Sequence, residues 1–179
     1  GGAGGTGGNG TGGAAVLQSD GPGSTLTISQ DVANASQLAN NQNAILNALG
    51  VGGAATAVNG FGGDGQGGTV SVQATLGGDL VLPAAADAGN PVGAIRFLSW
   101  GVGGDSFDGG TGGDGTGGIA VVAVDSQGAA AGETSITMGR AEISALGLGG
   151  AGLAGATNND ADGGVGTGGQ RSIGVLDGG

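Results

Sequence analysis

The chain has 179 residues, 50 of them Gly, and sets 14 acidic residues against three basic ones, for a net charge of −11. That length suits one domain, but with three Phe, one Trp, one Met and no Tyr, burial of bulky apolar side chains is not the main source of order. The negative field sets nucleic acid and anionic membranes aside as partners, and the absence of Cys and His removes disulfides, thiolate metal sites and the commonest general base.

Gly-Gly stands at both ends, with no initiator Met and no signal peptide, so the expectation is a mature chain or a section of something longer. A Lys-free, Cys-free, acidic composition points to an exported bacterial protein, secreted or held at the cell surface. The longest strictly apolar run, residues 119–124, is far short of the ~20 residues of a membrane span. Glycine loses the most backbone entropy on folding, so such a chain needs a densely hydrogen-bonded backbone or stays disordered.

In chain order, residues 1–9 parse as GGA, GGT and GGN, and residues 109–114 as GGT and GGD. A period of three matches a polyproline II type of helix, whose N–H and C=O groups need neighbours to pair with. Two Gly in three would permit close lateral approach, with Ala3, Thr6 and Asn9 in an outer row; the alternative is a flexible linker. Collagen is excluded by the Gly spacing and by only three Pro.

The heptapeptide Gly-Gly-x-Gly-x-Gly-Gly occurs at residues 7–13, 62–68, 112–118 and 163–169. Each copy precedes a strand-like segment: 14–19 (AAVLQS), 69–74 (TVSVQA), 119–124 (IAVVAV) and 170–175 (QRSIGV). Their second and fourth places are mostly apolar, as a half-buried strand requires, with Arg171 the exception. Leu17, Val72, Val122 and Ile173 share one offset and are predicted to form one buried row.

A second β-rich segment follows a turn at residues 25–28, 80–82 and 135–138. Residues 36–50 then read either as a short helix, with Ser36 as N-cap and Leu38, Ile45, Leu46 and Leu49 on one side, or, given Asn40, Asn41, Asn43 and Asn47, as solenoid turns. Residues 91–100 (PVGAIRFLSW) read as a strand or buried loop, and residues 140–146 as another helix candidate. The expected fold is therefore all-β: a repetitive β-solenoid, parallel β-helix-like, with polyglycine or polyproline II-type tracts and a repeat of about fifty residues. It would be one repetitive domain over 1–179, in units 1–61, 62–108, 109–162 and a truncated 163–179.

Only acidic residues are candidates for chemistry. Oxygen ligands in Gly-rich turns suit Ca²⁺, which singles out Asp64, Asp105, Asp108, Asp114, Asp160 and Asp162. Val165 stands where Asp64 and Asp114 do, neither the RTX nonapeptide nor EF-hand spacing is present, and solvated turn carboxylates are the default. Asp105 and Asp108 could pose as the carboxylate pair of a polysaccharide-cleaving β-helix, but one Trp, no Tyr and no Lys argue against it. No catalytic site and no cofactor are expected. Trp100 and Phe97 read as core or interface anchors, and Thr6, Thr11, Thr111, Thr116 and Thr167 as a threonine array or as solvated turn residues.

Tracts such as GGTGGDGTGG alternating with IAVVAV and TVSVQA resemble the glycine-rich β-strand-repeat regions of large bacterial adhesins, of the autotransporter and filamentous-haemagglutinin-like kind. The resemblance covers essentially the whole chain and implies export to the cell surface and a right-handed parallel β-solenoid, with no catalytic residues to carry over. Mycobacterial glycine-rich PGRS regions share the GGx triplets but lack the strand punctuation. The expected function is a non-enzymatic structural or adhesive module that associates with itself, with neighbouring repeats, or with a host or abiotic surface. The alternatives are a self-assembling filament subunit and a Ca²⁺-binding or ice-binding solenoid.

Overall fold

A computed structural model describes residues 5–28, 45–82, 95–129, 133–139, 141–154 and 161–176. These residues are all β, without a helix, and every strand pairing is parallel. The chain visits the same five sheets in the same order on successive passes, an arrangement consistent with a β-solenoid. Its first pass holds β1 (Gly10–Thr11), β2 (Ala14–Asp20), β3 (Thr25–Thr27), β4 (Ile45–Asn47) and β5 (Gly50–Val51). The second holds β6 (Gly65–Gln66), β7 (Thr69–Thr75), β8 (Asp79–Val81), β9 (Ile95–Leu98) and β10 (Gly101–Val102). On the third lie β11 (Gly115–Thr116), β12 (Ile119–Asp125), β13 (Ser135–Thr137), β14 (Ala141–Ser144) and β15 (Gly147–Leu148), and on the fourth β16 (Gly166–Thr167) and β17 (Gln170–Leu176).

Alternation along the seven-residue strands places one face inward. Val70, Val72 and Ala74 of β7 and Ala120 and Val122 of β12 are buried, and they meet Leu80, Leu82, Ile95 and Phe97 from the other two long-sided sheets. Full burial of Phe97 and Leu80 contributes about 1.5–3 kcal/mol each. The turn after the long strand uses glycine where the left-handed region is required, Gly21 at φ 91° and Gly77 at φ 90°.

The other half of the cross-section is filled mainly by main chain, with only small side chains such as Ala55 and Ser106 buried among the described residues. Gly10, Gly65 and Gly115 of one layer face Gly50, Gly101 and Gly147 of the opposite layer, and main chain packs on main chain. A Cβ on Gly10, Gly50, Gly65, Gly101 or Gly115 would sit inside the van der Waals sphere of a carbonyl oxygen across the gap. Sheets packed through side chains stand about 10 Å apart; these two are close enough to hydrogen-bond. The links zigzag between layers: Gly53 N–H to Gly8 O at 2.7 Å, Gly63 to Gly53 O at 2.9 Å, Gly104 to Gly63 O at 2.8 Å and Gly113 to Gly104 O at 2.8 Å. Gly150 N–H to Gly113 O and Gly164 N–H to Gly150 O, each 2.9 Å, continue them.

Three successive donors in one tract point three ways. Gly62 N–H reaches Thr111 O on the next pass, Gly63 N–H crosses to the opposite layer, and Asp64 N–H bonds to Asn9 Oδ1 on the previous pass. The peptide groups of the tract are thereby satisfied without an apolar side chain.

Several expectations are met and several corrected. Leu17, Val72, Val122 and Ile173 do share one register row, but Ile173 is 72% exposed because the described fourth pass consists of β16 and β17 alone. Of the helix candidate 36–50, the described part is strand: β4 and β5 pair with β9 and β10, and that ladder overrides local helical patterning. Its beginning lies outside the described residues. The candidate at 140–146 is corrected too, since β14 pairs with β9 over Ala141–Ser144. Within 91–100, β9 is a strand, and Phe97 is fully buried.

Candidate functional site

Inward glycine forces the residues on either side of it outward, so each thin layer displays alternate side chains to solvent. On the β1–β6–β11–β16 layer, these are Asn9, Asp64, Asp114 and Val165 in one row and Thr11, Gln66, Thr116 and Thr167 in the next. The first row is a ladder in which each side chain caps the following pass. Asn9 Oδ1 accepts from Asp64 N–H at 2.8 Å, Asp64 Oδ1 from Asp114 N–H at 2.9 Å, and Asp114 Oδ1 from Val165 N–H at 2.8 Å. The partners are 55, 50 and 51 residues apart in sequence. Asn and Asp serve equally here because the required group is an Oδ1 acceptor, and Val165 fits because no further N–H of the described residues needs one. These two rows border a shallow polar groove of about 380 Å³ lined by Asn9, Thr11, Asp64, Gln66, Asp114 and Thr116.

Of the carboxylates singled out in the sequence, Asp64, Asp105 and Asp114 accept main-chain N–H groups of the next pass. Asp105 Oδ1 accepts the Ala151 N–H at 2.8 Å, and the main-chain oxygen of Asp162 accepts the Gly112 N–H. Asp108 has a left-handed φ of 46°, and its Oδ1 is buried with no hydrogen-bond partner among the described residues. Asp160 lies outside the described residues. Among those described, no group of three or more carboxylates comes together in a way that could hold a metal ion. No described helix is long and apolar enough to cross a membrane. The threonines form no unbroken array: Thr11, Thr116 and Thr167 share a row with Gln66, and Phe61 stands on the pass between Thr6 and Thr111.

Polar pairing from pass to pass recurs elsewhere. Thr75 Oγ1 donates to Asp20 Oδ1 and Ser135 Oγ to Asp79 Oδ1, each at 2.6 Å. Arg96 and Glu142, opposite each other in β9 and β14, form a 2.8 Å ion pair; hydrogen bonding to Glu142 and its charge raise the Arg96 pKa above the ordinary arginine value. Arg171 stands in the inward row of Ala15, Val70 and Ala120, yet it is exposed at the edge of a cavity of about 240 Å³ shared with Ile143, Ser172 and Ile173.

The opposite layer, β5–β10–β15, is apolar on its outside. Val51, Val102 and Leu148 share one row, and Leu49, Trp100 and Leu146, two residues earlier, form the next. Val51, Leu49, Leu146 and Leu148 are 52%, 42%, 39% and 42% exposed, and Trp100 and Val102 are half-buried, with Trp100 Nε1 donating to Ser144 Oγ at 2.9 Å. The sequence does not announce this layer: residues 36–50 read equally as a helix or as solenoid turns, 91–100 as a strand or buried loop and 140–146 as a helix candidate. The signal was present as a second glycine motif, GVGG at 50–53 and 101–104 and GLGG at 147–150. Compared with family models, with curated proteins and with solved structures, the chain matches none.

Proposed function

We propose that the chain is a non-enzymatic structural and adhesive module of a bacterial surface protein, exported and displayed outside the cell. In this reading it is a repetitive β-solenoid of about fifty residues per coil, with glycine tracts running as polyglycine II-type helices. The observation that carries it is the use made of polar side chains: Asn9, Asp64, Asp114, Asp20, Asp79 and Asp105 all tie one pass of the chain to the next. A ladder of this kind resists peeling along the stack and leaves carboxylates as acceptors from main-chain N–H and side-chain hydroxyl groups, the arrangement a rod under tension needs and an acid–base pair does not. The three-direction bonding of Gly62, Gly63 and Asp64 supports the polyglycine helix.

Single-molecule stretching tests the reading. The expected record is a series of abrupt releases of roughly 170 Å, the extended length of about fifty residues. A smooth entropic stretch without releases would sink it, and so would cleavage of a polysaccharide that Asp105→Asn or Asp108→Asn abolishes.

A further inference from the structure

The two outer faces of the glycine-cored half differ in kind. One displays Asn9, Asp64 and Asp114 with Thr11, Gln66 and Thr116; the other displays Leu49, Trp100, Leu146, Val51, Val102 and Leu148. Between them lie two layers of backbone joined by hydrogen bonds, so neither face can turn its side chains inward. The apolar side chains have no route into the core, which is filled by Phe97, Leu80 and their neighbours.

From this we infer that the apolar face of β5, β10 and β15 is the contact surface for a second copy of the same chain, packed face to face about a two-fold axis parallel to the stack. The inference goes beyond the structural role proposed above, and its failure leaves that role standing. Three observations favour a second copy over other occupants. The first is charge: each chain carries a net charge of −11, and the Asp64–Asp114 ladder lies on the far side of the glycine layers from the apolar face. Apolar-to-apolar pairing keeps the two acidic ladders turned apart, whereas pairing through the polar faces would oppose like charges. The second is pitch. In both copies successive side chains within a row are one strand separation apart, about 4.8 Å, so the Leu49–Trp100–Leu146 row of one seats beside the Val51–Val102–Leu148 row of the other along its whole height.

The third observation is extent. The six side chains make a patch in the range of roughly 300–600 Å² that is often functional on a monomer, and two such patches together approach the ~1,000 Å² at which a specific interface begins. A contact of that size gives a weak dimer, with a dissociation constant on the order of 10–100 µM. The charges that flank the patch in sequence already have partners, Arg96 with Glu142 and Asp105 with the Ala151 N–H, so none has to be stripped of its partner on pairing.

Sedimentation velocity of the whole chain from about 5 µM to about 1 mM is the test, with added salt expected to strengthen the dimer by screening the like net charges. Val102→Glu and Leu148→Glu, both outward and away from the core, should weaken dimerisation at least ~100-fold while leaving the circular dichroism and melting curve unchanged, because an isologous contact carries each substitution twice. Gln66→Glu on the polar face should leave the dimer intact. A monomer at every concentration overturns the inference, as does a dimer that Gln66→Glu breaks and Val102→Glu does not. Binding of the apolar face to hydrophobic beads by a chain that stays monomeric would also overturn it, by assigning the face another occupant.

Discussion

The two halves of the cross-section solve the same problem with different materials. In one, Val70, Val72, Leu80, Ile95 and Phe97 exclude water by side-chain packing. In the other, Gly63, Gly104 and Gly113 hold two layers together by peptide hydrogen bonds alone. A side-chain core loses stability in proportion to the volume removed and tolerates some repacking. A main-chain core has no rotamers with which to adjust, so the smallest added group becomes a steric fault. The contrast teaches that a chain poor in large apolar residues need not be poorly packed.

The sharpest way to break the comparison is to place the same methyl group in two environments. Gly113→Ala puts a Cβ against Gly63 O of the backbone and should destabilise by more than about 4 kcal/mol in urea titrations, or abolish cooperative unfolding. A loss under 1 kcal/mol would mean that the layers part easily. In the apolar half, Leu80→Ala leaves a cavity beneath β13 and β3 and should lose about 2–5 kcal/mol by the same measurement.

Smaller effects sharpen the picture. Asp114→Ala removes the acceptor of the Val165 N–H and should lose about 1 kcal/mol, whereas Asp114→Asn should restore most of it, as Asn9 in the same row indicates. Amide exchange gives an independent reading: Gly63, Gly104 and Gly113 should be protected to a similar degree as Val72 and Val122, and exchange at random-coil rates in the glycines alone would show that only the apolar half is held. The least effect belongs to Gly8→Ala. Nothing lies within 4 Å of the position its Cβ would take, so thermal melting should shift by no more than about 0.5 kcal/mol equivalent, in either direction.

The long strands were legible because each follows a heptapeptide and alternates in character: β2, β7, β12 and β17 begin at the residues that the motif marks, Ala14, Thr69, Ile119 and Gln170. The opposite layer was not legible. Leu38, Leu46 and Leu49 have helical spacing, and only the ladder from β4 through β14 decides against it, an interaction that spans about fifty residues and is invisible in a local window. The acidic residues were legible only in part. That Asp64 and Asp114 lie in Gly-rich turns is plain in the sequence, but their use as acceptors from the next pass depends on register. The apolar face was hidden because its residues, two per pass, lie among glycines and lend no segment the look of a patch.

Main-chain packing also governs how the fold answers to temperature. Unfolding exposes apolar surface, which raises heat capacity, and peptide surface, which lowers it, and the usual balance is about 12–15 cal/mol/K per residue. In the glycine half the buried surface is almost all peptide, so the chain should fall below that figure in calorimetry. A smaller heat-capacity increment flattens the dependence of stability on temperature, and the weakening of hydrophobic burial on cooling touches only half the molecule. The glycine layers therefore give the chain a broad, shallow stability curve that declines slowly towards the cold.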